Sequence, residues 1–268
     1  MSRLSLDHLT VQEATPPALI DIAAATGCVA TAMWFNAPPF GLDAYPMIGN
    51  TAMRRETAAR VSATGVRIHA VGIFALMPEM DWARFRGMME SGAALGAKRA
   101  ICLGFDPDAG RALESFCRLC QLAAEFGMSV DAEFIAFSAL NSLDAALKLL
   151  SDARQANAGL ILDPLHLTRS GGKPADLARV PPSLVGYAQL CDGPATMAAD
   201  RQMHEGSEQR QIPGEGCFPL GEFVSALPEE VLIGVEIPLR DRIERGMGPL
   251  ARARLAVDAS RRIIEAAG

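Results

Sequence analysis

Four polar residues interrupt apolar runs that otherwise read as buried strand. They are Glu133 in Val130-Asp131-Ala132-Glu133-Phe134, Asp163 in Ile161-Leu162-Asp163-Pro164-Leu165-His166, Gln189 in Tyr187-Ala188-Gln189-Leu190-Cys191-Asp192, and Glu236 in Gly234-Val235-Glu236-Ile237-Pro238. An acid inside a buried strand is costly unless it is paired or bound to a metal. Each acid taken alone is more often a helix cap or turn former than a ligand. Three acids and one amide at corresponding ends of successive strands form an oxygen-rich set, suited to a hard or borderline divalent cation. Such an ion acidifies the C–H beside a carbonyl, and a neighbouring carboxylate takes the proton. Isomerisation, epimerisation or β-elimination follows, according to where the proton returns or what leaves.

These residues need a scaffold that brings strand ends together. Short apolar runs alternate with longer amphipathic stretches along all 268 residues. The candidate strands are Arg3–Asp7, Val29–Trp34, Val66–Ile73, Arg99–Gly104, Ser129–Ile135, Gly159–Asp163, Val185–Cys191 and Leu232–Ile237. Gly159-Leu160-Ile161-Leu162-Asp163 is almost continuously apolar, as a strand covered on both faces must be. Between the strands, Trp82, Phe85, Met89 and Ala93 recur at helical spacing, as do Leu113, Phe116, Cys120 and Ala123. Gly65, Gly96 and Gly127 stand where left-handed helix caps are expected, and Pro249 opens the last helical stretch.

Strand–helix alternation predicts a parallel sheet with right-handed crossovers. The spacing predicts one α/β domain over residues 1–268, a single (β/α)8 barrel. The rival open doubly wound sheet lacks its Gly-rich first turn, since residues 7–15 contain no glycine. The longest loop, Asp192 to Pro219, follows a strand and so belongs on the face where barrels build active sites.

At this point the chain resembles the xylose-isomerase-like barrels, often called sugar phosphate isomerases/epimerases. The likeness is carried by Glu133, the Asp163-Pro164-Leu165-His166 segment, Gln189 with Asp192 three residues on, the Pro213-Gly214-Glu215-Gly216 turn and Glu236, and more weakly by Ala93-Ala94-Leu95-Gly96-Ala97. By that resemblance one divalent ion is held by Glu133, Asp163, Gln189 and Glu236. Mn2+ or Mg2+ is favoured, with Co2+ or Zn2+ also compatible. Glu133 and Glu236 serve as acid and base. His166 contacts a substrate hydroxyl or relays a proton, and Arg210 is aimed at substrate oxygens. Many epimerases of the group carry histidine where this chain has Gln189. The glutamine resembles the 3-dehydroshikimate dehydratase-like branch, so a lyase reading stands beside the isomerase or epimerase reading. A metal- and ligand-binding barrel without catalysis is the third. The resemblance's DNA-repair endonuclease branch needs more histidines than the 4 present.

From the residues alone, His69 points either into the barrel mouth or outward. Trp34 with Phe35 either walls the pocket or packs the core. His8 and His204 have no context suggesting chemistry. The expected partner is a small polyhydroxy carbonyl compound, and a homo-oligomer is allowed. A net charge of −6 disfavours nucleic acid. No apolar run is long enough for a transmembrane helix. The segment Met1 to His8 lacks the apolar core of a signal peptide, which suggests a cytoplasmic protein. Of the 6 cysteines, Cys117 and Cys120 form a C-x-x-C inside a helical pattern, which reads as apolar packing rather than a redox or zinc motif.

Overall fold

A computed structural model describes residues 3–35 and 45–268. Its strands are β1 (Leu4–Asp7), β2 (Ala30–Trp34), β3 (Arg67–Leu76), β4 (Arg99–Gly104), β5 (Ser129–Glu133), β6 (Ala158–Leu162), β7 (Val185–Leu190) and β8 (Ile233–Val235). Each pairs in parallel with the next, and β1 pairs with β8, so the sheet closes as a barrel in chain order. The expected (β/α)8 architecture is therefore the observed one.

Helices wrap the outside. Trp82–Ala94, Ala109–Glu125, Leu143–Ala153 and Pro249–Ala267 each turn their apolar stripe onto the sheet. Asp81, Asp108 and Ser142 cap three of them by accepting backbone N–H bonds at their N-termini. Gly65, Gly96 and Gly127 all take positive φ, at 73°, 89° and 65°, where a side chain would be strained. The helix carrying the C-x-x-C buries Cys120 and half-buries Cys117, and both thiols are free. No helix among the described residues is long and apolar enough to cross a membrane.

Strand limits shift where a polar side chain has a better use for the backbone. Asp163 leaves β6 to cap the short helix Pro164–Arg169, and Glu236 lies just past β8, which has only 3 residues. His166 accordingly sits in a helix rather than a loop. The long segment after β7 also has internal order. It holds the helix Gln202–Glu208 and an antiparallel bridge from Asp192 to Gln211. Asp192 gathers its far end by accepting from the N–H groups of Gly193, Gly214, Gly216 and Phe218 at 2.9, 2.9, 3.1 and 3.0 Å. A Cβ at Gly216 would come within 2.2 Å of the Asp192 carboxylate. This explains why the Pro213–Gly216 turn accompanies Asp192.

Candidate active site

Side chains of one strand alternate in direction, so every second residue of a barrel strand points inward. Glu133 ends β5 on the same face as Asp131. Asp163 follows β6, Gln189 lies near the end of β7, and Glu236 follows β8. All four are buried at the C-terminal end of the barrel. Ligand-capable atoms of Glu133, Asp163 and His166 lie within 4.8 Å of one another. His166 Nε2 stands 3.7 Å from Glu133 Oε1 and 3.9 Å from Asp163 Oδ2. Asp163 does two jobs. Its Oδ1 accepts the Leu165 N–H at 2.7 Å as a helix cap, while Oδ2 accepts from Arg210 Nη1 at 2.7 Å.

Arg210 ties the cluster together. Its Nη2 lies 2.9 Å from Glu236 Oε2, its Nη1 also donates to the Glu236 carbonyl at 3.2 Å, and its Nε donates to the Gly206 carbonyl at 2.9 Å. The expectation that Arg210 faces substrate oxygens therefore meets a guanidinium already engaged with two acids of the site. Gln189 joins from the other side, where its Nε2 donates to Asp7 Oδ2 at 3.2 Å. Its Oε1 is buried with no hydrogen-bond partner among the described residues.

Four buried carboxylates thus face one guanidinium, and their acidities record the imbalance. Burial, with the Glu236 and Asp163 charges, holds Glu133 well above the usual carboxylate range. Burial and the Glu236 charge do the same to Asp7. Glu236 is raised by burial to about 7, against the pull of Arg210. At Asp163 burial is outweighed by Arg210, His166 and the Leu165 N–H, and the net shift is downward. Burial lowers His166 to about 4, so its imidazole is neutral at physiological pH.

The cluster floors an open pocket. Leu9, Trp34, Ile73, Leu103, Ile135 and Phe137 form its apolar wall, and Glu133, His166, Arg210 and Glu236 face it. Trp34 is therefore a wall residue. His69 is not. It lies inside the barrel on the first half of β3, its ring 4.9 Å from that of Tyr187, apart from the residues lining the pocket. Its substrate-binding reading gives way to a packing one. His8 is also structural. Its Nδ1 accepts the Trp34 N–H at 3.2 Å and its Nε2 meets the Ala14 carbonyl at 2.8 Å.

Two residues of the site went unread in the sequence, Asp7 and Tyr187. The Tyr187 hydroxyl donates to Asp7, and both are fully buried. Asp7 closes β1 as Glu133 closes β5, so the strand-end rule that found the other acids applies to it as well.

The donor set fits a divalent cation. Glu133, Asp163 and His166 offer ligand atoms within reach of one another, Glu236 stands outside that reach on Arg210, and the Gln189 amide oxygen is buried with no partner among the described residues. Such oxygen-rich sites suit Mg2+ or Mn2+, and the neighbouring His166 imidazole also admits Zn2+.

The family model described as xylose isomerase-like TIM barrel matches residues 20–263. Among solved structures, the IolI protein with a bound zinc atom superposes with TM-score 0.83 at 16% identity, covering 100% of this chain and 99% of that one. L-ribulose 3-epimerase gives 0.73 at 14% identity over 100% and 96%. The D-allulose 3-epimerase of Methylomonas sp., solved with D-allulose, gives 0.70 at 16% identity over 99% and 96%. A stretch of 109 residues is 31% identical to the 3-dehydroshikimate dehydratase of Pseudomonas aeruginosa, taking in 40% of this chain and 17% of that protein's length. The chain belongs to the xylose isomerase-like TIM barrel family.

Proposed function

We propose that this xylose isomerase-like barrel is a divalent-metal-dependent isomerase or epimerase, moving a proton at the carbon beside the carbonyl of a small polyhydroxy substrate. The observation that carries the reading is the buried Glu133–Asp163–His166 group, with Glu236 tied to Asp163 through Arg210, opening onto an apolar-walled pocket. A cation held by Glu133, Asp163, Gln189 and Glu236 would polarise the substrate carbonyl and acidify the neighbouring C–H. The chain's own residues do the rest. Glu236 and Glu133 enter from different strands and serve as the proton acceptor and donor. Arg210 holds Glu236 and Asp163 in place from the pocket floor. Neutral His166, beside Glu133, hydrogen-bonds a substrate hydroxyl or passes a proton. Trp34 and its apolar neighbours keep water from the reacting carbon.

A second reading, a lyase of the 3-dehydroshikimate dehydratase type, is supported by Gln189 and by the matching stretch in the Pseudomonas enzyme. It needs a cation for the substrate carboxylate, and Arg210 is already bound to Asp163, Glu236 and the Gly206 carbonyl. That occupation favours the first reading. Two assays on purified protein with Mn2+ or Mg2+ decide between them. Solvent deuterium entering keto-sugars beside the carbonyl, without growth of aromatic absorbance from 3-dehydroshikimate, is the expected result. Absorbance growth without exchange would transfer the assignment to the lyase.

A further inference from the structure

Gln189 is the one neutral member of the proposed cation-binding set, and an amide can face a metal by either end. The carbonyl end binds; the NH2 end repels. What decides is the contact on the far side. Gln189 Nε2 donates to Asp7 Oδ2 at 3.2 Å, while Oε1 is buried with no partner among the described residues. Asp7 is itself steadied, because its Oδ1 accepts from the Tyr187 hydroxyl. Gly234, paired in register with Gln189, leaves the space, since a Cβ there would lie 2.3 Å from the Tyr187 oxygen and 2.5 Å from both Asp7 oxygens. Both Asp7 oxygens act as acceptors here, Oδ1 for the Tyr187 hydroxyl and Oδ2 for the amide NH2, so the nitrogen of Gln189 is drawn to Asp7 and its oxygen is turned away.

We propose that Asp7 is a positioning residue that locks the Gln189 amide with Oε1 presented to the cation, an inference that rests on the metal-dependent reading above. Asp7 thus plays toward an amide the part that carboxylates play behind metal-bound histidines. The lock is absent from the ligand set as read from sequence, because Asp7 and Gln189 are 182 residues apart and meet only when β1 closes against β8.

The test measures Mn2+ affinity calorimetrically on metal-stripped protein, with no substrate. In Asp7→Asn the side chain keeps its shape, and one oxygen still accepts from Tyr187. Its new NH2 opposes the Gln189 NH2, so the amide turns over and offers nitrogen to the cation. Mn2+ affinity is expected to fall about 10- to 100-fold, the usual effect of losing a partner behind a metal ligand, with the metal-free melting temperature little changed. Adding Gln189→Glu to that variant supplies one oxygen for the amide introduced on β1 and one for the cation, at unchanged total charge, and is expected to restore binding. Tyr187→Phe, which frees Asp7 without removing its carboxyl group, is expected to weaken Mn2+ several-fold and keeps the test open should Asp7→Asn not fold. Unchanged affinity in Asp7→Asn, or in Tyr187→Phe where Asp7→Asn does not fold, overturns the inference alone. So does loss that Gln189→Glu fails to rescue. A wild-type protein that binds no Mn2+ overturns the metal-dependent reading and this inference with it.

Discussion

The barrel holds buried charge at both ends, and the two ends are built differently. Toward the N-terminal end, Arg99 Nη1 donates to both oxygens of Asp131 at 2.8 and 2.9 Å, one cation to one anion. Room for the pair is made by missing side chains. A Cβ at Gly159 or Gly186 would lie 2.3 or 2.2 Å from Asp131 Oδ1. Toward the C-terminal end, Asp7, Glu133, Asp163 and Glu236 gather around the guanidinium of Arg210, and Gln189 Oε1 has no hydrogen-bond partner among the described residues. At one end an arginine balances a buried acid; at the other the buried acids outnumber the guanidinium they surround. Asp131 and Glu133 sit two residues apart on one strand and one face, so the change from matched to unmatched happens within a single pleat.

The largest expected effect is at the unmatched end. Glu236→Gln is nearly isosteric and removes one acceptor, so turnover should fall by about 10²- to 10⁴-fold, the usual worth of a general acid–base group. The fold should survive, because the lost charge is one that burial already penalises. Deuterium exchange beside a substrate carbonyl measures the first claim and circular dichroism the second. Full activity in Glu236→Gln would remove the residue from the mechanism.

The matched end should fail in the opposite way. Arg99→Met strands Asp131 inside the barrel, and breaking a buried pair typically costs about 3–5 kcal/mol. The lower part of that range is expected, since the Arg99 side chain is 30% exposed and already partly solvated. Urea unfolding measures the loss, while Mn2+ affinity should hardly move. A third measurement separates the ends further. If the unmatched cluster is completed by a cation, Mn2+ at about 100 times its Kd should stabilise the wild type by about 2.7 kcal/mol and Arg99→Met by the same amount. A stabilisation that vanished in Arg99→Met would show the two ends to be coupled.

The two ends also differ in how far their residues can be read from sequence. Strand–helix alternation was enough for the closed barrel, and Arg99–Gly104 and Pro249–Ala267 have the limits their patterns imply. Glu133, Asp163 and Glu236 were legible because an acid in an apolar run has no easy explanation. Asp7 was missed because Arg3–Asp7 is short, and a terminal Asp there has an innocent reading as a turn former. The engagement of Arg210 was out of reach, since the contact depends on how the segment after β7 folds back over the barrel. His69 was ambiguous because its strand, Val66–Ile73, is apolar on both sides of it, so the sequence does not say whether position 69 points into the barrel mouth or outward.

His69 supplies the smallest and most specific test of the matched end. Burial lowers it to about 4, helped by Arg99 and opposed by the Gly186 backbone. The unfolded chain holds an ordinary histidine near 6.5, so the folded state prefers the neutral ring. The stabilisation from His69 is therefore complete above pH 6.5. It falls as the pH drops toward 4, because the unfolded chain then binds a proton that the folded chain refuses, and the slope approaches about 1.4 kcal/mol per pH unit. His8 and His166 carry the same sign, and the raised acids of the other end carry the reverse, so the total pH profile does not isolate any one of them. The difference between wild type and His69→Gln does. Glutamine stays neutral throughout, so the two proteins should converge in relative stability by about 1 kcal/mol between pH 6.5 and 5.5. A gap that stays constant over that interval would mean the ring is protonated equally in both states, and would remove burial beside Tyr187 and Arg99 as the control on His69.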